Sequence, residues 1–161
     1  MKEIILVRHG KSSWEYNVSD RERPLTKRGE ADAQIVVEQL LKKSSIPQHI
    51  FSSPAKRALS TCMIFSKTIG ASENSITVVE DLYDFDGQNV INFIKKLPND
   101  YSDVMIFGHN HAFTSISNIF GNIFIHNLPT AGLVKLNIDI DHWNDLKKGT
   151  TEFVIIPKEF K

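Results

Sequence analysis

The stretch Ile4-Ile5-Leu6-Val7-Arg8-His9-Gly10-Lys11-Ser12 (IILVRHGKS) decides the fold. Its four leading apolar residues read as a strand buried on both faces, as in the middle of a parallel sheet. In open α/β sheets, ligands bind beyond the carboxyl ends of the strands, which is where Arg8 and His9 fall. Gly10 lets the chain turn there and lets a ligand come close to the backbone. The ending GKS resembles the tail of a nucleotide phosphate loop, but that loop needs a glycine five positions before its second glycine. Ile5 occupies that position, inside the strand, so the nucleotide reading is set aside.

Two further stretches repeat the arrangement. Val104-Met105-Ile106-Phe107 is a second apolar run, ending in Gly108-His109-Asn110-His111. His49-Ile50-Phe51-Ser52 reads as a short strand. Ser53-Pro54 after it reads as an N-cap with proline at the first helical position, opening a helix to about Ile69 that Gly70 stops. Ala58, Leu59, Cys62, Met63 and Ile69 form its expected inward face. Arg57 falls in the first turn, where free N–H groups favour an anion, and its planar fork matches phosphate oxygens. Arg8, His9, Arg57 and His109 are therefore expected to converge on one sheet edge as an oxyanion-binding pocket.

Thr26 is expected to cap a helix to about Lys43, with Ala33, Val36, Val37, Leu40 and Leu41 on one face. Residues 89–97 and the stretch around Phe113, Ile116 and Phe120 read as further helices. Ile76–Val79, Leu133–Ile138 and Phe153–Ile156 read as strands. Strands alternating with helices predict an α/β protein: a single domain over residues 1–161, three-layered α/β/α, with a largely parallel central sheet.

Lys+Arg and Asp+Glu are both 19, and this zero net charge argues against a nucleic-acid binder. No apolar run is long enough for a membrane span, so no membrane partner is expected. The lone cysteine, Cys62, is expected in the core, and a chain without an internal disulfide or visible leader suits a reducing, cytoplasmic setting.

Taken together, RHGKSSW (8–14), RPLTKRG (23–29), SSPAKRALST (52–61), LYD (82–84), GHN (108–110) and PTAGL (129–133) resemble the histidine phosphatase superfamily, which includes the phosphoglycerate mutases. The closer likeness is to its small SixA-like branch of phosphohistidine phosphatases, and it spans nearly the whole chain. The resemblance implies a phosphoglycerate mutase-like fold, His9 as the transiently phosphorylated nucleophile, and Arg8, Arg57 and His109 as holders of the phosphoryl oxygens. It implies no metal and no organic cofactor; His109 and His111 alone would make an incomplete metal site. Gly10, Ser12, Arg23 and Asn110 are the expected substrate-binding residues, with Lys11 and Lys56 at the approach. Trp14 is expected to pack the loop, with stacking on a substrate as the alternative.

Larger relatives supply a glutamate general acid, and Asp84 stands at the matching position. Asp84 either donates a proton to an ester leaving group or merely begins the loop before Gly87. The expected activity is a metal-independent phosphatase working through phospho-His9, with protein phosphohistidine as the substrate the branch implies. A small-molecule phosphomonoesterase with the same site, and a phosphate-binding protein without turnover, are the alternatives. A phosphorylated protein or metabolite is thus the expected partner; the oligomeric state is open.

Overall fold

Strand β1 (Lys2–Arg8) lies beside β4 (Asp103–Gly108), parallel and in register from Glu3 opposite Asp103 to Arg8 opposite Gly108, in a computed structural model that describes residues 1–161. The pairing follows from composition: Ile4–Val7 and Val104–Phe107 are fully buried, which only a strand covered on both faces can achieve. Each such side chain contributes about 1.5–3 kcal/mol by leaving water.

The remaining strands are β2 (His49–Ser52), β3 (Ile76–Val78), β5 (Leu133–Ile138) and β6 (Thr150–Ile155), and the sheet order is β3-β2-β4-β1-β5-β6. The pairings β1–β4, β2–β4 and β2–β3 are parallel, and β5 and β6 add antiparallel at one edge. Four helices cover the sheet: α1 (Lys27–Lys43), α2 (Lys56–Ile69), α3 (Gln88–Lys95) and α4 (Ala112–Phe120). Strand alternation sorts the core into two layers. Ile5, Val7, Met105 and Phe107 face α1 and α2 through Val36, Leu40, Cys62 and Phe65. Ile4, Leu6, Val104 and Ile106 face α3 and α4 through Ile94, Phe113 and Ile116. The expected three-layer architecture with a mostly parallel sheet is the one observed.

Local chemistry fixes the helix ends. The Thr26 hydroxyl accepts from the Gly29 N–H at 3.0 Å and caps α1 as its position predicts. Gly70, at φ +77°, ends α2 in the left-handed conformation that glycine tolerates. Three expectations need correction. Helix α2 begins at Lys56 with Ala55 as its N-cap, two residues later than a Ser53 cap implies; the Ser53 hydroxyl accepts from the Ala55 N–H at 3.2 Å, ahead of the first helical turn, and also meets His109. Leu41 is exposed, lying past the edge of the buried stripe of α1. On α2, Leu59 and Met63 are only half-buried, and Phe65 takes the deep position. Cys62 is fully buried as expected, and burial pushes its thiol up to about 12, so it has no thiolate chemistry at neutral pH.

Gly10 and Gly29 explain each other. A Cβ on Gly10 would meet the Gly29 carbonyl oxygen at 2.7 Å, and one on Gly29 would meet the Lys11 carbonyl oxygen at 2.2 Å. The start of α1 therefore presses directly on the turn that follows β1 and sets where that turn can go.

Candidate active site

The backbone of His9 is held from two sides. Its N–H donates to the Gly108 carbonyl at 3.1 Å, extending the β1–β4 ladder, and its carbonyl accepts from the Ala131 N–H at 2.8 Å. The Gly10 N–H donates to the Thr61 hydroxyl at 3.0 Å, which itself donates to the Arg57 carbonyl at 2.8 Å. The turn after β1 is thus tied to the opening of α2, and Arg57 is carried to the same place as His9.

The ring of His9 has a defined tautomer. Nδ1 lies 2.7 Å from the Gly10 carbonyl oxygen, which can only accept, so Nδ1 carries the proton. Nε2 keeps its lone pair and faces the Nε–H of Arg57 at 3.4 Å. The ring centre of His109 is 5.3 Å away. His109 Nε2 lies 2.8 Å from the Ser53 hydroxyl oxygen, which also accepts from the Ala55 N–H at 3.2 Å. Nδ1 of His109 and Nε of Arg8 are both buried without a hydrogen-bond partner. An unmatched buried guanidinium N–H and an unmatched imidazole nitrogen beside the free lone pair of His9 are an arrangement that a phosphoryl oxyanion would complete.

The electrostatics agree. Burial lowers the His9 pKa to about 3; the Gly10 carbonyl opposes the shift, and Arg57, Arg8 and Arg23 add to it. Loss of water is thus a larger cause of the neutral His9 ring than the neighbouring arginines. His109 is also lowered to about 3, by burial first and then by His9 and Arg57. Burial, and next the Arg57 charge, lowers the Arg8 pKa, as expected where cations crowd without enough anions.

These groups open onto a pocket of about 360 Å³. Of the residues named from sequence, Arg8, His9, Ser12, Arg23, Arg57 and Asn110 line it, as does Lys11. Gly10 contributes its backbone, and His109 stands behind His9. Ser12 accepts from Arg23, and Asn110 is braced by Asn127 and Thr114, whose hydroxyl is 2.7 Å from its Oδ1. Lys56 is exposed and does not line the pocket. Asp84 does not line it either. Its carboxylate accepts from the Val90 N–H at 3.1 Å and the Asp86 N–H at 3.4 Å, holding the turn into α3. Trp14 does not pack the loop: it is 78% exposed, with the Arg23 guanidinium 3.2 Å from its ring centre, and it forms part of the pocket wall.

Sequence reasoning missed Asp20, Phe85 and Thr130, which also line the pocket. Asp20 matters most. Its backbone carbonyl accepts from Arg57 Nη1 at 2.6 Å, and its carboxylate from Arg57 Nη2 at 3.0 Å, from Arg23 Nη1 at 3.0 Å and from the Tyr83 hydroxyl. Only its place just before Arg23-Pro24-Leu25 could have drawn attention to it.

Residues 4–90 match the model of the histidine phosphatase superfamily (branch 1). An uncharacterised chloroplastic protein of Arabidopsis thaliana is 31% identical over 153 residues, covering 89% of this chain and 70% of that protein. Among solved structures, a protein histidine phosphatase SixA complexed with tungstate superposes with a TM-score of 0.83 at 19% identity, covering 99% of each chain. A mycobacterial glucosyl-3-phosphoglycerate phosphatase superposes with a TM-score of 0.68 at 12% identity, covering 94% of this chain and 97% of the other. At these identities the structural likenesses speak for the fold.

Proposed function

The chain belongs to the histidine phosphatase superfamily (branch 1) and is a phosphatase, and from that premise we propose that it hydrolyses phosphohistidine on a protein through a covalent intermediate on His9. Residues 1–161 form the catalytic domain in this reading, acting in a reducing, cytoplasmic compartment. Nε2 of His9 attacks phosphorus as the P–N bond of the substrate breaks, and the electron pair of that bond departs with a substrate imidazole that leaves neutral because its other ring nitrogen carries a proton. Water then attacks the phosphorus, the P–Nε2 bond breaks, and phosphate is released with water's protons, restoring His9 with its proton still on Nδ1. Arg57, Arg8 and His109 meet the charge on the phosphoryl oxygens in both transition states. These groups supply the electrostatic stabilisation without a metal; each preorganised donor of this kind contributes about 3–4 kcal/mol.

The observation that carries the reading is the His9 ring itself: Nδ1 is engaged by the Gly10 carbonyl while Nε2 stays unprotonated and faces Arg57. The choice of substrate rests on the acids. Asp84 is committed to backbone amides, and the Asp20 carboxyl is held at about 2. An alkoxide leaving group calls for a proton donor, whereas imidazole is a far better leaving group, so this site suits a P–N bond better than a phosphate ester. A phosphodonor should label the protein with an acid-labile phosphoryl group that His9→Ala abolishes. Turnover of a phosphohistidine peptide should exceed that of a sugar phosphate. Label surviving in His9→Ala, or sugar phosphate as the faster substrate, would overturn the mechanism or the substrate respectively.

A further inference from the structure

The outer edge of Arg57 is already occupied. Its Nε–H faces His9, but Nη1 and Nη2 both point at Asp20, one to the carbonyl and one to the carboxylate. Arg23 and Tyr83 bind the same carboxylate, and the turn that bears it (Asp20–Glu22) is pinned by Arg21, whose guanidinium forks onto Glu80 at 2.6 and 3.0 Å. Burial would raise the Asp20 pKa, but the Tyr83 hydroxyl and then Arg57 and Arg23 outweigh it and hold the group at about 2, so it is an anion throughout the neutral range. Arg8, Lys11, Arg23 and Arg57 also line this pocket, with Asp20 as the single acidic side chain among them.

We propose that Asp20 is a working residue of this site: its carboxylate is a built-in counter-anion on Arg57 and Arg23, which competes with a bound phosphoryl group for their charge and weakens the hold on the phosphate product. This rests on the phosphatase reading above. A phosphoryl group on Nε2 of His9 is within reach of the Arg57 Nε–H, while Asp20 takes one N–H on each of Nη1 and Nη2, so carboxylate and phosphate share the charge of one guanidinium. Without Asp20 the pocket would hold an unopposed set of cations, and the dianionic product would bind too well. Tyr83 keeps the carboxylate on station. Asp20 is therefore a positioning residue that acts through Arg57 and does not meet the reacting atoms.

The test is the affinity of the intact protein for inorganic phosphate, measured by calorimetry at low ionic strength so that turnover plays no part. Asp20→Asn keeps the shape and removes the charge. Its Kd for phosphate should fall about three- to fivefold, the size of effect expected for a half-exposed ion pair, and Tyr83→Phe should shift Kd the same way by less. A residue that merely props the loop would give weaker binding on substitution. An unchanged or higher Kd in Asp20→Asn, with a melting curve showing the variant folded, overturns the proposal. If Asp20→Asn does not fold, Tyr83→Phe decides alone: tighter phosphate binding supports the proposal, and unchanged or weaker binding overturns it. Absence of phosphate binding in the wild-type protein overturns it as well. Failure of the phosphatase reading is separate and appears as absence of label on His9, whatever the Kd values.

Discussion

Nε2 of His9 and the Nε–H of Arg57 face each other at 3.4 Å, a lone pair and a donor at the wall of one pocket. Substituting Arg57 removes both a charge and a directed donor. Arg57→Lys should lower kcat by about 10²-fold or more, since lysine supplies a point charge without the fork and cannot reproduce the Nε–H geometry. Rapid-quench measurement of His9 labelling should show the loss in the labelling step. An effect confined to KM would mean that Arg57 binds substrate and transition state equally.

The pH dependence follows from the two buried imidazoles. His9 and His109 are lowered to about 3 in the fold, against 6.5 for a solvated imidazole. The unfolded chain therefore binds more protons between those values, so their contribution to stability is fully present above about pH 6.5 and is lost as pH falls through that window. Between pH 7 and 5, where carboxylates scarcely titrate, the denaturation midpoint should fall, and His9→Gln should reduce the slope. Ring resonances of both histidines should stay flat from pH 8 to 5 by NMR. A titration near 6.5 for either would refute the neutral-nucleophile argument.

How much of this was legible beforehand depends on whether the controlling interaction is local. The two central strands announce themselves because burial on both faces demands an unbroken apolar run, and their endings at Arg8-His9-Gly10 and Gly108-His109 follow directly. The Thr26 cap reads correctly because it spans three residues. The second contact of the Ser53 hydroxyl cannot be read there, because it is made to His109, 56 residues away. Asp20 was invisible for the same reason: in Ser19-Asp20-Arg21-Glu22 nothing marks one acid over the other, and its role comes from contacts with Arg57 and Tyr83, 37 and 63 residues distant. Trp14 was misread because its partner is a cation at the pocket wall and not an apolar neighbour.

Gly29 is the second half of a close approach that the sequence shows only as a glycine in a first helical turn. Its missing Cβ leaves room for the Lys11 backbone, with 2.2 Å to that carbonyl oxygen if a methyl group were present. Neither side is a flexible side chain, so the conflict must move the turn after β1. Gly29→Ala should cost about 1–3 kcal/mol in denaturant unfolding and should also depress kcat, because the displaced turn carries His9 and Gly10. Unchanged stability would show that α1 can shift without the turn following.

Asp84 separates a structural carboxylate from a catalytic one. Its oxygens accept from the Asp86 and Val90 N–H groups at the entrance to α3, and Gly87, at φ +107°, shapes the same turn. A carboxylate used this way is stabilising as an acceptor of both N–H groups and is turned away from the pocket lining. Asp84→Ala should therefore lower stability by about 1–2 kcal/mol, as for loss of a helix cap. Asp84→Asn retains one acceptor oxygen and should recover part of that loss. The ratio of phosphohistidine to phosphate-ester turnover should be the same in Asp84→Asn as in the wild type, since neither rate uses this group as an acid. If ester turnover alone falls in Asp84→Asn while its melting curve is unchanged, then the carboxyl must leave its backbone partners during catalysis, and the case for a P–N substrate loses one of its two supports.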